Sequence, residues 1–181
     1  MITRKEALDL LHQEIPQPNL IKHVLAVEAV MTGLARRLGG DEEVWSRAGL
    51  LHDLDYAHTM DNPERHGRMS VEMLTGRLPQ DALQAILAHC GHIEANTAMD
   101  KAIRCADPVT GLIVAAALMH PDRKLASVDV HFLLKRFKEK RFAAGADREQ
   151  IAECRNLGLE LEEFLSLALM AMQGASQELG L

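Results

Sequence analysis

The run Leu50-Leu51-His52-Asp53-Leu54 sets an imidazole beside a carboxylate at the end of an apolar stretch. A helix core excludes both groups unless something compensates their desolvation. A bound cation is the simplest compensation. Neutral His offers a nitrogen lone pair and ionised Asp an oxygen, a mixture that suits zinc, iron, manganese, nickel or cobalt better than calcium. An isolated His-Asp pair is a weak signal and reads first as two side chains satisfied by backbone groups at a helix end. The metal reading therefore rests on further donors: His23, His66, His89 and Asp107 all fall at expected helix ends or beside a proline. Helix ends leave backbone groups unpaired and let side chains converge. No local spacing rule brings these six residues together, so a fold has to.

The elements that would position them read as helices. Thr3-Arg4-Lys5-Glu6 has capping-box spacing and predicts a first helix through Leu11, before the breakers Pro16 and Pro18. Asn19 is the expected cap of a second, in which Leu20, Val24, Val27, Met31 and Leu34 recur at helical spacing and His23 lies in the first turn. Gly39-Gly40-Asp41-Glu42 looks like the diguanylate cyclase signature. That motif needs a hairpin between strands, however, and here it separates two helical patterns, so it reads as a glycine stop followed by an aspartate cap. The next helix runs through Val44, Ala48 and Leu51 to His52-Asp53. After a loop to Asp61, Asn62-Pro63 is expected to open a helix with His66 in its first turn.

Pro79 to Ala88 predicts a helix ending near His89, and Met99 to Met119 a long apolar helix in which Pro108 kinks the chain beside Asp107. A basic helix from Ser127 to Arg141 and a final helical pair through Leu161, Phe164 and Leu169 complete the chain. No segment alternates with period two, and there are no internal repeats.

Composition agrees with an all-α reading. The 181 residues are 48% hydrophobic but only 3% aromatic, so aliphatic side chains and nine Met must fill the core. A net charge of −6 argues against a protein whose main business is coating nucleic acid or an anionic membrane. No signal region follows the basic pair at the start and no continuous apolar span long enough for a bilayer is evident, which places the expected location in the cytoplasm. Cys90, Cys105 and Cys154 fit reduced thiols rather than disulfides or a cysteine-based zinc site.

At this point the chain resembles the HD superfamily of metal-dependent phosphohydrolases, over about residues 19 to 118. The matching residues are His23 in Ile-Lys-His-Val, His52-Asp53 in Gly-Leu-Leu-His-Asp-Leu, and Asp107 in Arg-Cys-Ala-Asp-Pro-Val-Thr-Gly-Leu. His66 and His89 look like the histidines with which two-metal members hold a second ion. The resemblance implies a single-domain helical bundle with a linker and helix at 1–18, a metal-binding core at 19–118 and a C-terminal helical extension at 119–181.

It also implies one or two divalent ions (Mn, Fe, Co, Ni, Zn or Mg) and hydrolysis of a phosphoester of a small metabolite, with a nucleotide favoured. Asp53 would bridge the ions and hold the activated water. Two features depart from relatives: Cys90 stands where the subgroup that hydrolyses cyclic di-GMP has a further His, and Leu54-Asp55-Tyr56 replaces a frequent lysine. Lys101, Arg104 and His92 are the candidate substrate contacts, the first two sharing a helix face with Asp107. A small phosphorylated substrate is the expected partner, with no membrane, no extended nucleic acid, and a homodimer left open. The alternatives are a non-catalytic metal- or nucleotide-binding regulatory module and a di-iron oxygenase of the same fold.

Overall fold

A computed structural model describes residues 1–181, and apart from one bridge between Thr75 and Leu78 its regular structure is entirely helical. Helix α1 (Arg4–Glu14) starts at the expected capping box: the Thr3 hydroxyl accepts from Glu6 N, and the Glu6 carboxylate accepts from Thr3 N. Helix α2 (Pro18–Leu38) corrects the expectation of an Asn19 cap. Its cap is Gln17 and Pro18 occupies the first helical position, where a fixed φ and a missing N–H cost nothing. His23 consequently lies in the second turn. Gly39 ends α2 in the left-handed region at φ 75°, and Asp41 caps α3 (Glu42–Leu51) by accepting from the N–H groups of Glu43 and Val44.

Between α3 and the second half of the chain lie a short α4 (Tyr56–Thr59), a 3-10 turn (Pro63–Arg65) and α5 (Arg68–Leu74). This corrects a second expectation. His66 does not open a helix but sits between the 3-10 turn and α5, because Gly67 at φ 77° turns the chain there. Helix α6 (Gln80–His89) ends at the expected histidine, and α7 (Ala98–Met119) contains Asp107 and Pro108 after a capping box of Thr97 and Asp100. The basic segment is shorter than expected: a 3-10 turn (Leu125–Ser127) precedes α8 (Val130–Lys138). Helices α9 (Arg148–Ala152), α10 (Leu161–Gly174) and α11 (Ser176–Leu179) finish the chain.

Helices α2 and α7 are the two long rods, packed on each other; α3 and α10 lie against α2, and α6, α8 and α9 against α7. One apolar cluster runs from Ile2 to Leu179 through Leu11, Met31, Leu50, Ile103 and Phe164. Each such fully buried side chain contributes roughly 1.5–3 kcal/mol. By length and composition α7 matches a membrane span, with mean hydropathy 1.5 over its most apolar window, yet 61% of that window is buried against other helices. Its apolar positions form the core.

The α2–α3 crossing is tight at Gly49. A Cβ there would lie 2.9 Å from Met31 Cγ and 3.0 Å from the Val27 carbonyl oxygen, so only glycine lets the end of α3 come this close to α2. A buried carboxylate braces the same pair of helices from the other side: Glu28 accepts from Ser46 at 2.9 Å and from Arg4 at 2.8 Å, and pairs with Arg47 at 3.4 Å. Arg4 reaches on to Glu178 at 2.7 Å, tying the two ends of the chain to α2. Together these contacts fix the C-terminal end of α3, where His52 and Asp53 stand.

Candidate metal centre

The fold brings His23 from α2, His52 and Asp53 from the end of α3, His66 from the turn before α5, His89 from the end of α6 and Asp107 from mid-α7 into one cluster. The four imidazoles form a row, His23, His52, His89, His66, each edge-on to the next with centroids 5.4, 4.9 and 5.2 Å apart. Asp53 lies along this row. Its Oδ1 is 3.4 Å from His52 Nε2, 3.3 Å from His66 Nε2 and 3.5 Å from His89 Nε2, while Oδ2 is 3.6 Å from His23 Nε2. Asp107 Oδ1 closes the other end at 3.1 Å from His23 Nε2 and 4.0 Å from His52 Nε2.

All four rings turn the same nitrogen inward, because each outer nitrogen is occupied. His52 Nδ1 donates to the Gly49 carbonyl at 2.8 Å, and His89 Nδ1 donates to the Ile86 carbonyl. His66 Nδ1 donates to Asp55 Oδ1 at 2.9 Å. Thr110 uses its hydroxyl hydrogen on the Asp107 carbonyl at 2.8 Å, so its oxygen accepts from His23 Nδ1 at 3.2 Å. A hydrogen bond at one ring nitrogen sets the tautomer and leaves a lone pair on the other. His52 makes the consequence visible: it is fully buried, its Nε2 has no partner, and burial drives its pKa below the ordinary value, so it is neutral. A buried imidazole lone pair left unpaired costs stability unless a cation meets it.

The separations support that reading. First-row ions bind His nitrogen and carboxylate oxygen at about 2.0–2.2 Å, which puts neighbouring ligand atoms about 3.0–3.6 Å apart. The observed distances fall in that range, with the 4.0 Å pair just outside it. Three overlapping donor groups emerge, His23, His52 and Asp107 at one end, His52, Asp53 and His89 in the middle, and His66, His89 and Cys90 at the other end, with ligand atoms all within 4.8 Å of one another in each group. The residues present fit a divalent metal ion.

Charge in the cluster is strongly redistributed. Burial alone would raise the Asp53 carboxyl, but the facing His52, His66 and His89 outweigh it and hold Asp53 well below the usual range. Asp107, also opposed by burial, is lowered by His23. Burial likewise pushes His66 down, yet Asp53 and Asp55 overcome it and lift the imidazole to about 12; His89, with Asp53 and Cys90 against it, rises to about 10.

Asp55 is the residue that sequence reasoning missed. It is fully buried, accepts from His66 Nδ1 and, at 3.0 Å, from Ser70 N, and its own N–H donates to the Ser70 hydroxyl. Its signal was present as a second carboxylate two residues after Asp53, but its partners lie eleven and fifteen residues away. The candidate substrate contacts fall outside the cluster. His92 donates through Nε2 to the His66 carbonyl at 2.7 Å, supporting the backbone of that ligand candidate. Arg104 is held by both oxygens of Glu153 at 2.8 and 3.0 Å, and Lys101, one turn earlier, is half-buried. His92, Arg104 and Glu153 line a cavity of about 530 Å³ to which none of the six clustered residues contributes. His58 pairs with Glu14 at 2.9 Å and stays out of the site.

With this geometry in place, the similarities of the chain can be read. Residues 20–117 match the HD domain family. Among curated proteins the chain is 29% identical over 135 residues to a Ribonuclease Y of Sulfurovum sp., covering 72% of this chain and 26% of that protein. It is 30% identical over 135 residues to a Ribonuclease Y of Nitratiruptor sp., with the same coverage, and 35% identical over 94 residues to one of Campylobacter jejuni subsp. doylei, covering 51% of this chain and 18% of that protein. The chain thus spans about a quarter or less of these relatives. No solved structure matches it. The matched segment takes in the second turn of α2, the end of α3 and the middle of α7, and with them all six clustered residues: the chain belongs to the HD domain family.

Proposed function

We propose that the chain is a metal-dependent phosphohydrolase acting on a small phosphorylated metabolite, a nucleotide above all. The observation that carries this reading is the row of four imidazoles, each with Nδ1 engaged and Nε2 turned toward Asp53 and Asp107. His23, His52, Asp53 and Asp107 would hold one divalent ion, and His66 and His89, sharing Asp53, a second. When bound, such ions lower the pKa of water toward about 7 and neutralise charge on phosphoryl oxygens.

The protein's own groups supply the order. The Gly49 and Ile86 carbonyls, Asp55 and Thr110 hold the four rings with Nε2 inward, so no reorientation is needed when substrate arrives. Asp53 offers its two oxygens to opposite ends of the cluster. The burial of His52, Asp53 and His89 keeps bulk water from the donors. Arg104 and His92 line a separate cavity, and Arg104 can meet a substrate phosphate only by giving up Glu153. That engagement and the net charge of −6 favour a small substrate over an extended polyanion. A ribonucleotide phosphodiester is the second reading, favoured by the name the relatives carry.

The test is metal content of protein purified without chelator, followed by turnover of nucleoside monophosphates, cyclic nucleotides and short RNA with Mn, Co, Ni and Mg. Metal-dependent phosphate release from a nucleotide is expected; cleavage of RNA alone would select the second reading, and absence of bound metal would remove both. Asp55→Asn gives a narrower check. It keeps the shape and loses the charge that orients His66, and losses of this kind cost about 10–100-fold in metal affinity or activity. Calorimetric titration should show that weakening in the second equivalent of metal and little change in the first.

A further inference from the structure

The donor group formed by His66, His89 and Cys90 contains a sulfur that the hydrolase reading leaves unused. Cys90 caps the end of α6, directly after His89, and its Sγ lies 3.2 Å from His89 Nε2. The ligand atoms of His66, His89 and Cys90 all lie within 4.8 Å of one another. Cys90 is half-buried, whereas Cys105 and Cys154 are fully buried in the core. The surroundings of the thiol are specific. A Cβ on Gly67 would sit 2.5 Å from Cys90 Sγ and 3.3 Å from the Ile86 carbonyl oxygen, and Gly67 has φ 77°. Glycine is thus required twice over at that position, for backbone conformation and for room beside the sulfur. The same residue follows His66 in the chain and packs on the carbonyl that orients His89, so one close approach seats all three donors.

We propose that the Cys90 thiolate is a ligand of the second metal position, together with His66, His89 and Asp53. This rests on the metal-centre reading above and adds to it that the two positions are chemically unlike. The His23 end offers only nitrogen and oxygen and suits Mn, Mg or Fe. The Cys90 end, with a thiolate, selects a softer ion such as zinc or cobalt. Binding replaces the S–H proton by the metal–sulfur bond and releases that proton to solvent.

Metal-stripped protein spanning residues 1–181 and titrated anaerobically with Co(II) decides the matter. Loading both positions is expected to give visible ligand-field bands together with a thiolate-to-cobalt charge-transfer band in the near ultraviolet. Cys90→Ser should lose the charge-transfer band and bind one of its two equivalents at least about tenfold more weakly, a loss no smaller than that for an outer-sphere partner. Cys90→His should keep both equivalents without the band. On the wild-type protein alone, one equivalent of zinc should protect Cys90 from iodoacetamide, read by peptide mass, which keeps the test independent of how the variants fold. Ligand-field bands with no charge-transfer band at two equivalents, or a band that survives in Cys90→Ser, would overturn the proposal and leave the metal-centre reading standing. No cobalt bands at all would overturn both.

Discussion

Asp53→Ala is expected to lose both metal binding and phosphoester hydrolysis while its far-ultraviolet circular dichroism stays helical. Asp53 is the one side chain that faces all four imidazoles, at 3.3 to 3.6 Å. Removing it takes an oxygen from both ends of the cluster at once, whereas His23 and His66 each serve one end. Metal ions contribute several kcal/mol of charge stabilisation to such reactions, and each 1.36 kcal/mol is tenfold in rate, so a fall of about a thousandfold or more follows. The helices should survive because Asp53 lies beyond the last turn of α3, outside the apolar cluster that joins the rods. Asp53→Asn, which preserves volume and one acceptor oxygen, separates loss of charge from loss of packing. Metal content by mass spectrometry and phosphate release measured on the same sample give the answer, and turnover retained in either variant would remove the proposed chemistry.

Much of this centre was legible in the sequence, and what was not failed for identifiable physical reasons. Capping chemistry is local, so Thr3 with Glu6, Asp41, and Gly39 could be read within four residues of the helix ends they define. Asn19 misled because a good capping residue lay one position past a proline that could itself start the helix. His66 was drawn into a helix because nothing in Asn62-Pro63 announces that Gly67 will take a positive φ. Room for a side chain at that turn is taken by Cys90, twenty-three residues on. Arg104 illustrates the same limit from the other side. One helical turn from Asp107, it reads as a phosphate contact, but Glu153, distant in sequence, pairs with it through both oxygens. Asp55 is the clearest case. Only the meeting of α4, α5 and the turn between them shows that this carboxylate orients a histidine rather than meeting solvent. Spacing finds donors on one helix, whereas the partners that hold them in place come from other elements.

Metal binding should also raise thermal stability, and the rise should grow with pH. A ligand present at a hundred times its dissociation constant stabilises the folded state by about 2.7 kcal/mol, and for a domain of this size each kcal/mol moves Tm by about 2–4 °C. A shift of about 5–11 °C between chelator-treated and Mn-loaded protein is therefore expected. The pH dependence follows from the protons that must leave. In the metal-free protein the facing carboxylates push His66 up to about 12 and His89 up to about 10, so both carry a proton at neutral pH, and each proton released strengthens metal binding about tenfold per pH unit.

The metal-free state moves the other way. Folded-state values raised above the unfolded value of about 6.5 contribute stability that is complete below that value and declines as pH rises toward about 10 and 12. Asp53, lowered on folding, contributes above about pH 4 and is lost only in acid. From about pH 6.5, the unfolded value, up toward about 10 the apo protein should thus lose stability while the loaded protein gains affinity. The gap between the two melting curves widens from both sides. Differential scanning calorimetry with and without metal across that range checks this directly, and a gap that is constant or shrinks with rising pH would show that the imidazoles are not where the ions bind.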